Sequence, residues 1–410
     1  MKGGFFFVIR FFIAPRGVVF TRKSKICDAK RFLRPVLWQM RMTKMVLKQI
    51  TIYNYKNIGE AAVAFSSNVN CLVGHNGEGK TNVLDAVYYL SFCRSSTNFN
   101  DSQVINHNAD FLSLVGDYEN EDGLVEKIQC SVRRGHKKSF RRNGKEYQRL
   151  SDHIGRILLV MVSPQDQELI SGGSELRRRF IDMVISQYDA EYLQQLIRYR
   201  KALQQRNSLL RAEAEPDPAF IGIYEEEMAS SGAVIYDSRR RFVDEFSPIF
   251  QSIYQELSGG GETVDLSYQS HVAEHSLRDL LQENRPKDRI MGFTMKGLHR
   301  DDLGMLLGGF PIKREGSQGQ NKTFVIAMKL AQFDFLKRKG SHRTPILLLD
   351  DIFDKLDGQR VEQIVRMVSG NHFGQIFITD TNREFLLSVL ERTGKEFKLF
   401  TVENGQILEN

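Results

Sequence analysis

The 410-residue chain has little cysteine, no long apolar run, no polar low-complexity tract and no internal repeat. Each absence removes a class of protein. Its four cysteines, Cys27, Cys71, Cys93 and Cys130, lie far apart, with no CxxC and no Cys/His ligand spacing. That excludes a disulfide scaffold or a zinc module and fits a reduced, cytoplasmic protein. A membrane helix needs about 20 predominantly apolar residues. The most apolar stretch, Phe5 to Ile9 and Phe11 to Ile13, is interrupted by Arg10 and ended by Pro15. Arg16, Arg22, Lys23 and Lys25 follow it without a small-residue cleavage site, so a secretory signal is a poor fit. With 41% hydrophobic and 26% charged residues the chain is expected to fold throughout most of its length.

A surplus of positive charge is also missing where it would matter. The formal charge is +7, but residues 1–44 hold eleven Lys and Arg against one Asp. Residues 45–410 carry 46 Lys and Arg against 49 Asp and Glu, a net of −3. Any affinity for nucleic acid must come from local clusters, because counterion release depends on phosphates contacted and not on total charge. Residues 1–44 read as a dispensable or disordered extension, or as an upstream start with Met42 or Met45 as the first residue.

What is present falls into an α/β pattern interrupted by a helical one. From Met45, VLKQITIYNYKNI alternates as a strand, and Asn68 to Val73 forms a second strand that enters a glycine-rich loop and the helix Thr81 to Phe92. Further strands are expected at Leu112 to Tyr118 and Glu126 to Arg133, with a hairpin turn at Asn143-Gly144. Between Glu175 and Leu257 the period becomes helical, broken at Pro216 and Pro218 and closed by Gly259 to Gly261. Two antiparallel helices of about 35 residues are predicted there. A hairpin at Gly308-Gly309, a helix from Gln318 and strands at Ile346 to Leu349 and Gln375 to Thr379 complete the pattern. The fold class is therefore α/β, with residues 45–172 and 291–410 forming one lobe and residues 173–290 a helical arm inserted in it.

Three segments carry chemistry. Gly74, Gly79, Lys80 and Thr81 satisfy GxxxxGK[ST] between a strand and a helix. Backbone N–H groups of Gly74, His75, Asn76, Gly77, Glu78 and Gly79, with Asn82, would surround phosphate oxygens of ATP. Lys80 would reach the β- and γ-phosphates, and the Thr81 hydroxyl would face Mg²⁺. The second segment is an apolar strand ending in Asp350 and Asp351, expected on opposite faces because the side-chain period is two. Asp350 would hold Mg²⁺ and Asp351 would polarise the attacking water. The third, Ser317-Gln-Gly319, opens a helix, which suits either an anion site or a plain N-cap.

This order of elements resembles an ABC-type ATPase head, and within that class the RecF family of bacterial DNA repair proteins. The likeness rests on YNYKNI at 53–58, GHNGEGKTNVLDAVYYL at 74–90, SPQDQELISGGSELRRRFID at 163–182, KGLHRDDL at 296–303, SQGQNK at 317–322 and LLLDDIFDKLD at 347–357. It implies an ATP-dependent homodimer in which Ser317 and Gly319 meet the γ-phosphate held by the partner and Asp357 communicates across the interface. It also places a lid residue that senses Mg²⁺ at Gln165 or Asp166, and matches His299, Arg300 and Asp301 to a recurrent segment without assigning their roles. Implied partners are duplex or gapped DNA, a single-strand/duplex junction and a RecR-type mediator, with ATP as a clamp timer in gap repair, replication restart and the SOS response. Departures are mild: Lys56 stands where arginine is common, Asp85 where glutamate is, Asn321 for glutamine and Asp354 for serine. Thr379-Asp380 replaces the histidine of transporter-type heads.

The densest basic cluster of the body is Arg133, Arg134, Lys137, Lys138, Arg141, Arg142 and Lys145. On a hairpin these can gather on one face and meet a phosphate backbone, or line a solvated surface. Arg177, Arg178 and Arg179 could extend the patch or pair with acidic neighbours. The rival readings are a transporter's nucleotide-binding subunit and another SMC-like head. The eighty-residue helical stretch and absent histidine oppose the first, and the lack of sustained heptads opposes the second.

Overall fold

The computed structural model describes residues 45–410 apart from 98, 121, 341–342, 354–357, 370–371 and 392–395. The expectations for residues 1–44, Asp354 and Asp357 lie outside the described residues. Strands β1 (Val46–Tyr55) and β2 (Ile58–Ala64) form a hairpin, where sequence periodicity suggested one strand. Asn54 and Lys56 take positive φ, 54° and 52°, which reverses the chain inside YNYKNI. Next come β3 (Val69–Val73) and helix α1 (Lys80–Phe92). They are followed by β4 (Phe111–Glu119), β5 (Val125–Arg133), β6 (Ser139–Arg142), β7 (Lys145–Glu146) and β8 (Leu159–Val162).

Helices α2 (Ser174–Tyr188), α3 (Ala190–Arg211) and α4 (Pro218–Ser258) build the arm. Three helices stand where two were predicted. Asp189 leaves the helical region (φ −126°, ψ 99°) and its carboxylate accepts the Tyr192 N–H, so it ends α2 and caps α3. The break after Arg211 and the stop at Gly259 fall where the prolines and glycines put them. After these helices come β9 (Val264–Gln269), α5 (Leu277–Glu283), α6 (Arg285–Met291), β10 (Asp302–Leu307) and β11 (Phe310–Pro311). The chain ends with α7 (Gln318–Lys339), β12 (Ile346–Asp350), α8 (Gly358–Ser369), β13 (Ile376–Asp380), α9 (Arg383–Glu391), β14 (Phe397–Glu403) and β15 (Gln406–Glu409).

Among the described residues the strands form three sheets. One is antiparallel, in the order β2-β1-β4-β5-β6-β7, and buries alternate residues such as Leu112, Leu114, Ile128 and Cys130 against α1. The second runs β15-β14-β3-β13-β12-β8, parallel except for β15. Every residue of β3, β12 and β13 is buried, as expected of parallel strands covered on both faces. The small third sheet, β11-β10-β9, joins β9 to two strands of residues 291–410.

The arm is rooted in the nucleotide lobe by a continuous apolar core. Val160, Leu347 and Ile376 of the parallel sheet belong to one cluster with Phe180, Phe242, Phe246 and Phe335. The Phe335 ring meets Phe242 edge-on at a centroid distance of 5.1 Å. Each such buried ring contributes about 1.5–3 kcal/mol of apolar transfer, enough together to fix the C-terminal half of α4 against α7. Among the described residues no helix is long and apolar enough to cross a membrane.

Candidate nucleotide site

The parallel sheet brings the separated motifs to one edge. β3 and β12 run parallel with β13 between them, so the glycine loop after Val73 and the carboxylates after Leu349 emerge side by side at the strand ends. Ligands of such sheets bind in this place. Thr81 Oγ1 lies 2.9 Å from Asp350 Oδ1, and Thr379 Oγ1 lies 2.8 Å from the same oxygen. Burial pushes the Asp350 carboxyl up, opposed by the hydrogen bonds from Thr379 and Thr81. Lys80 is 6% exposed and its Nζ donates to the carbonyls of Gly74 (2.8 Å) and His75 (2.9 Å). Burial pushes the ammonium down, while Asp351, Asp350 and Asp380 pull it back.

Two glycines of the loop are irreplaceable on steric grounds. Gly79 has φ 117°, and a Cβ there would come within 2.9 Å of Asn57 Oδ1. Gly74 has φ 155°, and a Cβ there would lie 2.2 Å from the Val402 carbonyl oxygen. His75, Asn76, Gly77 and Thr81 are exposed, facing out from the strand ends. Asn82 donates from Nδ2 to Asn57 Oδ1 at 2.7 Å.

Asn57 escaped sequence reasoning, and so did the β14–β15 turn. The Asn57 Nδ2 donates to the carbonyls of Glu78 (3.0 Å) and Gly77 (3.3 Å), holding the loop from one side. On the other side the Gly405 N–H donates to the Glu78 carbonyl at 2.9 Å, and the Asn404 N–H donates to the Glu78 carboxylate. Only the Asn-Gly pair at 404–405, a hairpin signal, was visible in sequence.

The Asp-Asp pair needs a correction. β12 ends at Asp350, and Asp351 sits beyond it in the left-handed region at φ 48°, its N–H donating to Thr379 Oγ1 at 3.0 Å. The two carboxylates are therefore separated by a backbone turn and not by strand pleat. Asp380, buried at the end of β13, is a third acidic group in the field of Lys80, and burial raises its carboxyl.

The lid region follows β8, the neighbour of β12. Gln165 is exposed on a single helical turn, Pro164–Gln167. Asp166 is committed elsewhere: it accepts the Ser163 N–H at 2.7 Å and pairs with the buried Lys329 of α7 at 2.7 Å. Of the two lid candidates, Gln165 alone keeps its side chain at the surface.

Ser317 caps α7 in a reciprocal box with Gln320: its Oγ accepts the Gln320 N–H (3.2 Å) and its N–H donates to Gln320 Oε1 (2.8 Å). Ser317 is exposed, and Gly319 lies under Arg360, whose Nη1 would be 2.7 Å from a Cβ there. Among the described residues no hydrogen bond joins Ser317 to the loop Gly74–Asn82.

The basic cluster is divided by the sheet. Arg133 and Arg141 share the outer face of β5 and β6, since Arg141 opposes Gln129. Arg142 lies on the other face, opposite Ile128, and pairs with Glu126 at 3.1 Å. Lys138 is held by Asp101 (2.8 Å) and the Cys93 carbonyl (2.6 Å), so it and Arg142 both carry a carboxylate partner. Arg134 is exposed but donates to the carbonyls of Ser102 and Ala109. Lys137 and Lys145 are exposed, Lys145 standing opposite Arg142 on the edge strand β7, while Arg141 lies 4.0 Å from Glu146. The Arg177 to Arg179 run pairs locally: Arg177 with Asp302 (2.6 Å), Arg178 with the Asp301 carbonyl, Arg179 with Glu175 (3.0 Å).

Comparison with known proteins agrees with this geometry. Residues 46–407 match the family described as RecF/RecN/SMC N terminal domain. The chain is 58% identical over 365 residues to the DNA replication and repair protein RecF of Phocaeicola vulgatus, covering 89% of this chain and 98% of that protein. It is 50% identical over 366 residues to the protein of the same name from Porphyromonas gingivalis strain ATCC 33277, at 89% and 100% coverage. A solved structure of the recombination mediator protein RecF with ATP, in the RecFOR pathway, superposes with a TM-score of 0.82 at 27% identity, over 90% of this chain and 99% of that one. An Smc head domain from Pyrococcus furiosus, at 18% identity and a TM-score of 0.52, shares the fold.

Proposed function

The chain belongs to the RecF family of DNA replication and repair proteins, and from that premise we propose that it is an ATP-dependent DNA clamp of recombinational gap repair. The observation that supports the reading is the 2.9 Å contact between Thr81 and Asp350, which joins the glycine loop to a carboxylate at the end of β12. Residues 45–172 and 291–410 are read as the ATPase head and 173–290 as its arm, supported by a parallel sheet that draws strands from both head segments.

The Thr81 hydroxyl and the Asp350 carboxylate offer the hard oxygen donors that Mg²⁺ takes, and an ion held largely by nucleotide phosphates needs few protein ligands. Bound there with ATP, Mg²⁺ would neutralise charge on the β- and γ-phosphates. Backbone N–H groups of residues 74–79 hold the phosphates, Lys80 leaves its carbonyl partners to reach them, and the exposed Gln165, in the turn after β8, serves as the lid residue. Asp351 orients the attacking water and takes its proton. Ser317 and Gly319 act on the γ-phosphate of a second copy, a role supported by the exposure of Ser317. ATP thus closes a homodimer on duplex, gapped or junction DNA, and slow hydrolysis opens it.

DNA contact is assigned to Arg133, Lys137, Arg141 and Lys145 on the outer face and rim of the antiparallel sheet. A RecR-type mediator is the protein partner that the RecFOR context of the structural relative supports. Fluorescence anisotropy of a labelled gapped duplex tests the reading. ATP should tighten binding by at least about five-fold in the wild type and not in Lys80→Ala. Equal wild-type affinity with and without ATP would overturn it.

A further inference from the structure

Ser317 is tied through side chains to the end of helix α4. Tyr254, fully buried near the end of the 41-residue helix α4, donates its hydroxyl to Glu262 Oε2 at 2.5 Å. Glu262 Oε1 accepts from Gln320 Nε2 at 2.6 Å. Gln320 then uses its other amide atom, Oε1, to accept the Ser317 N–H at 2.8 Å. A capping box requires only that Oε1 contact, and glutamate satisfies it as well as glutamine does. The Nε2 contact to Glu262 is therefore additional to helix capping. Glycines 259 and 260, at φ 77° and 88°, end α4 and turn the chain so that Glu262 follows the helix closely. The Arg360 guanidinium, over Gly319, adds to the field that lowers the Glu262 carboxyl, after the Tyr254 and Gln320 hydrogen bonds.

We propose that Glu262 is a positioning residue that, through Gln320, sets Ser317 for the phosphate of the second subunit and makes that setting depend on the seat of the arm helix. The inference rests on the role given to Ser317 above. Its consequence is that whatever moves the end of α4 changes phosphate engagement across the dimer without touching the phosphate loop.

The charge pattern of the pair gives the test. Gln320→Glu keeps a capping box but sets a carboxylate against Glu262, and adding Glu262→Gln restores a donor and an acceptor with their places exchanged. Sedimentation of the full chain with ATP should show that Gln320→Glu raises the protein concentration for half-dimerisation by about ten-fold, the size of one charge-assisted hydrogen bond. Glu262→Ala, which leaves the capping box untouched, should do the same. The double variant should return to within about two-fold of the wild type, the recovery expected of a directly coupled pair. ATP binding to the single chain should not change in any of them. A Gln320→Glu protein that dimerises like the wild type, or a double variant that fails to recover, overturns the inference alone. A wild type that binds ATP and stays monomeric overturns the role of Ser317 and this inference with it.

Discussion

Thr81 and Asp350, 269 residues apart, share a 2.9 Å hydrogen bond, and Thr379 reaches the same carboxylate oxygen. The Asp350 carboxyl is raised by burial, so its ionised form is disfavoured in the folded protein. Stability from this group is present at low pH and lost as pH rises through its folded value. Asp350→Asn should therefore melt higher than the wild type at pH 8 without nucleotide, and the gap should close as pH falls toward the carboxyl range. Its ATP hydrolysis should drop on the order of 10²-fold. Calorimetry and a phosphate-release assay check the two halves.

The division of the basic hairpin makes a specific forecast for DNA. Arg133→Glu with Arg141→Glu should weaken binding and reduce the slope of log affinity against log salt by about 2, since each phosphate contact contributes about 0.9. Lys138→Met should leave that slope unchanged and instead lower stability, because its ammonium is held by Asp101 and the Cys93 carbonyl. A salt titration of binding separates the two.

Arg239, 3% exposed, pairs with Asp182 and Asp301, each at 2.9 Å, and joins α4 to α2 and to the segment before β10. Tyr268 also donates to Asp301. Arg239→Met takes the buried cation from both carboxylates, leaving Asp182 to Arg200 and Asp301 to the Tyr268 hydroxyl, and should cost about 3 kcal/mol in denaturant unfolding. Asp301→Asn added to it should recover part of that loss.

His153 is fully buried, with its ring nitrogens near the Leu90 carbonyl (2.7 Å) and the Tyr147 hydroxyl (3.1 Å). Burial pushes its pKa down to about 4, and His299 falls to about 4 for the same reason. A depressed histidine contributes stability above its ordinary value that is lost as pH falls through the folded one. Unfolding free energy should therefore decline between about pH 6.5 and 4, and less steeply in His153→Gln. Denaturant curves across that range measure it.

The motifs that make the site were legible because each is local: a strand, a turn and a helix read from consecutive residues, as at Gly74–Thr81, Ser317–Gln320 and Ile346–Asp350. What escaped depends on distant partners or on single backbone angles. Asn57 and Gly405 brace the phosphate loop from 20 or more residues away, with nothing in their own sequence to say so. Lys138 and Arg142 read as surface charge until the fold supplies Asp101 and Glu126. The break at Asp189 was written as an Asp before a helical run, a cap signal hidden by apolar periodicity on both sides.

On the proposed mechanism each chain holds half of two ATP sites. Sedimentation of the purified protein with ATP and gapped duplex, for wild type, Ser317→Arg and Asp351→Asn, tests it most directly. Wild-type dimers should require ATP, Ser317→Arg should form none, and the dimers of Asp351→Asn should outlast those of the wild type. A wild type that remains monomeric with ATP and DNA, or a Ser317→Arg protein that dimerises as the wild type does, would contradict it.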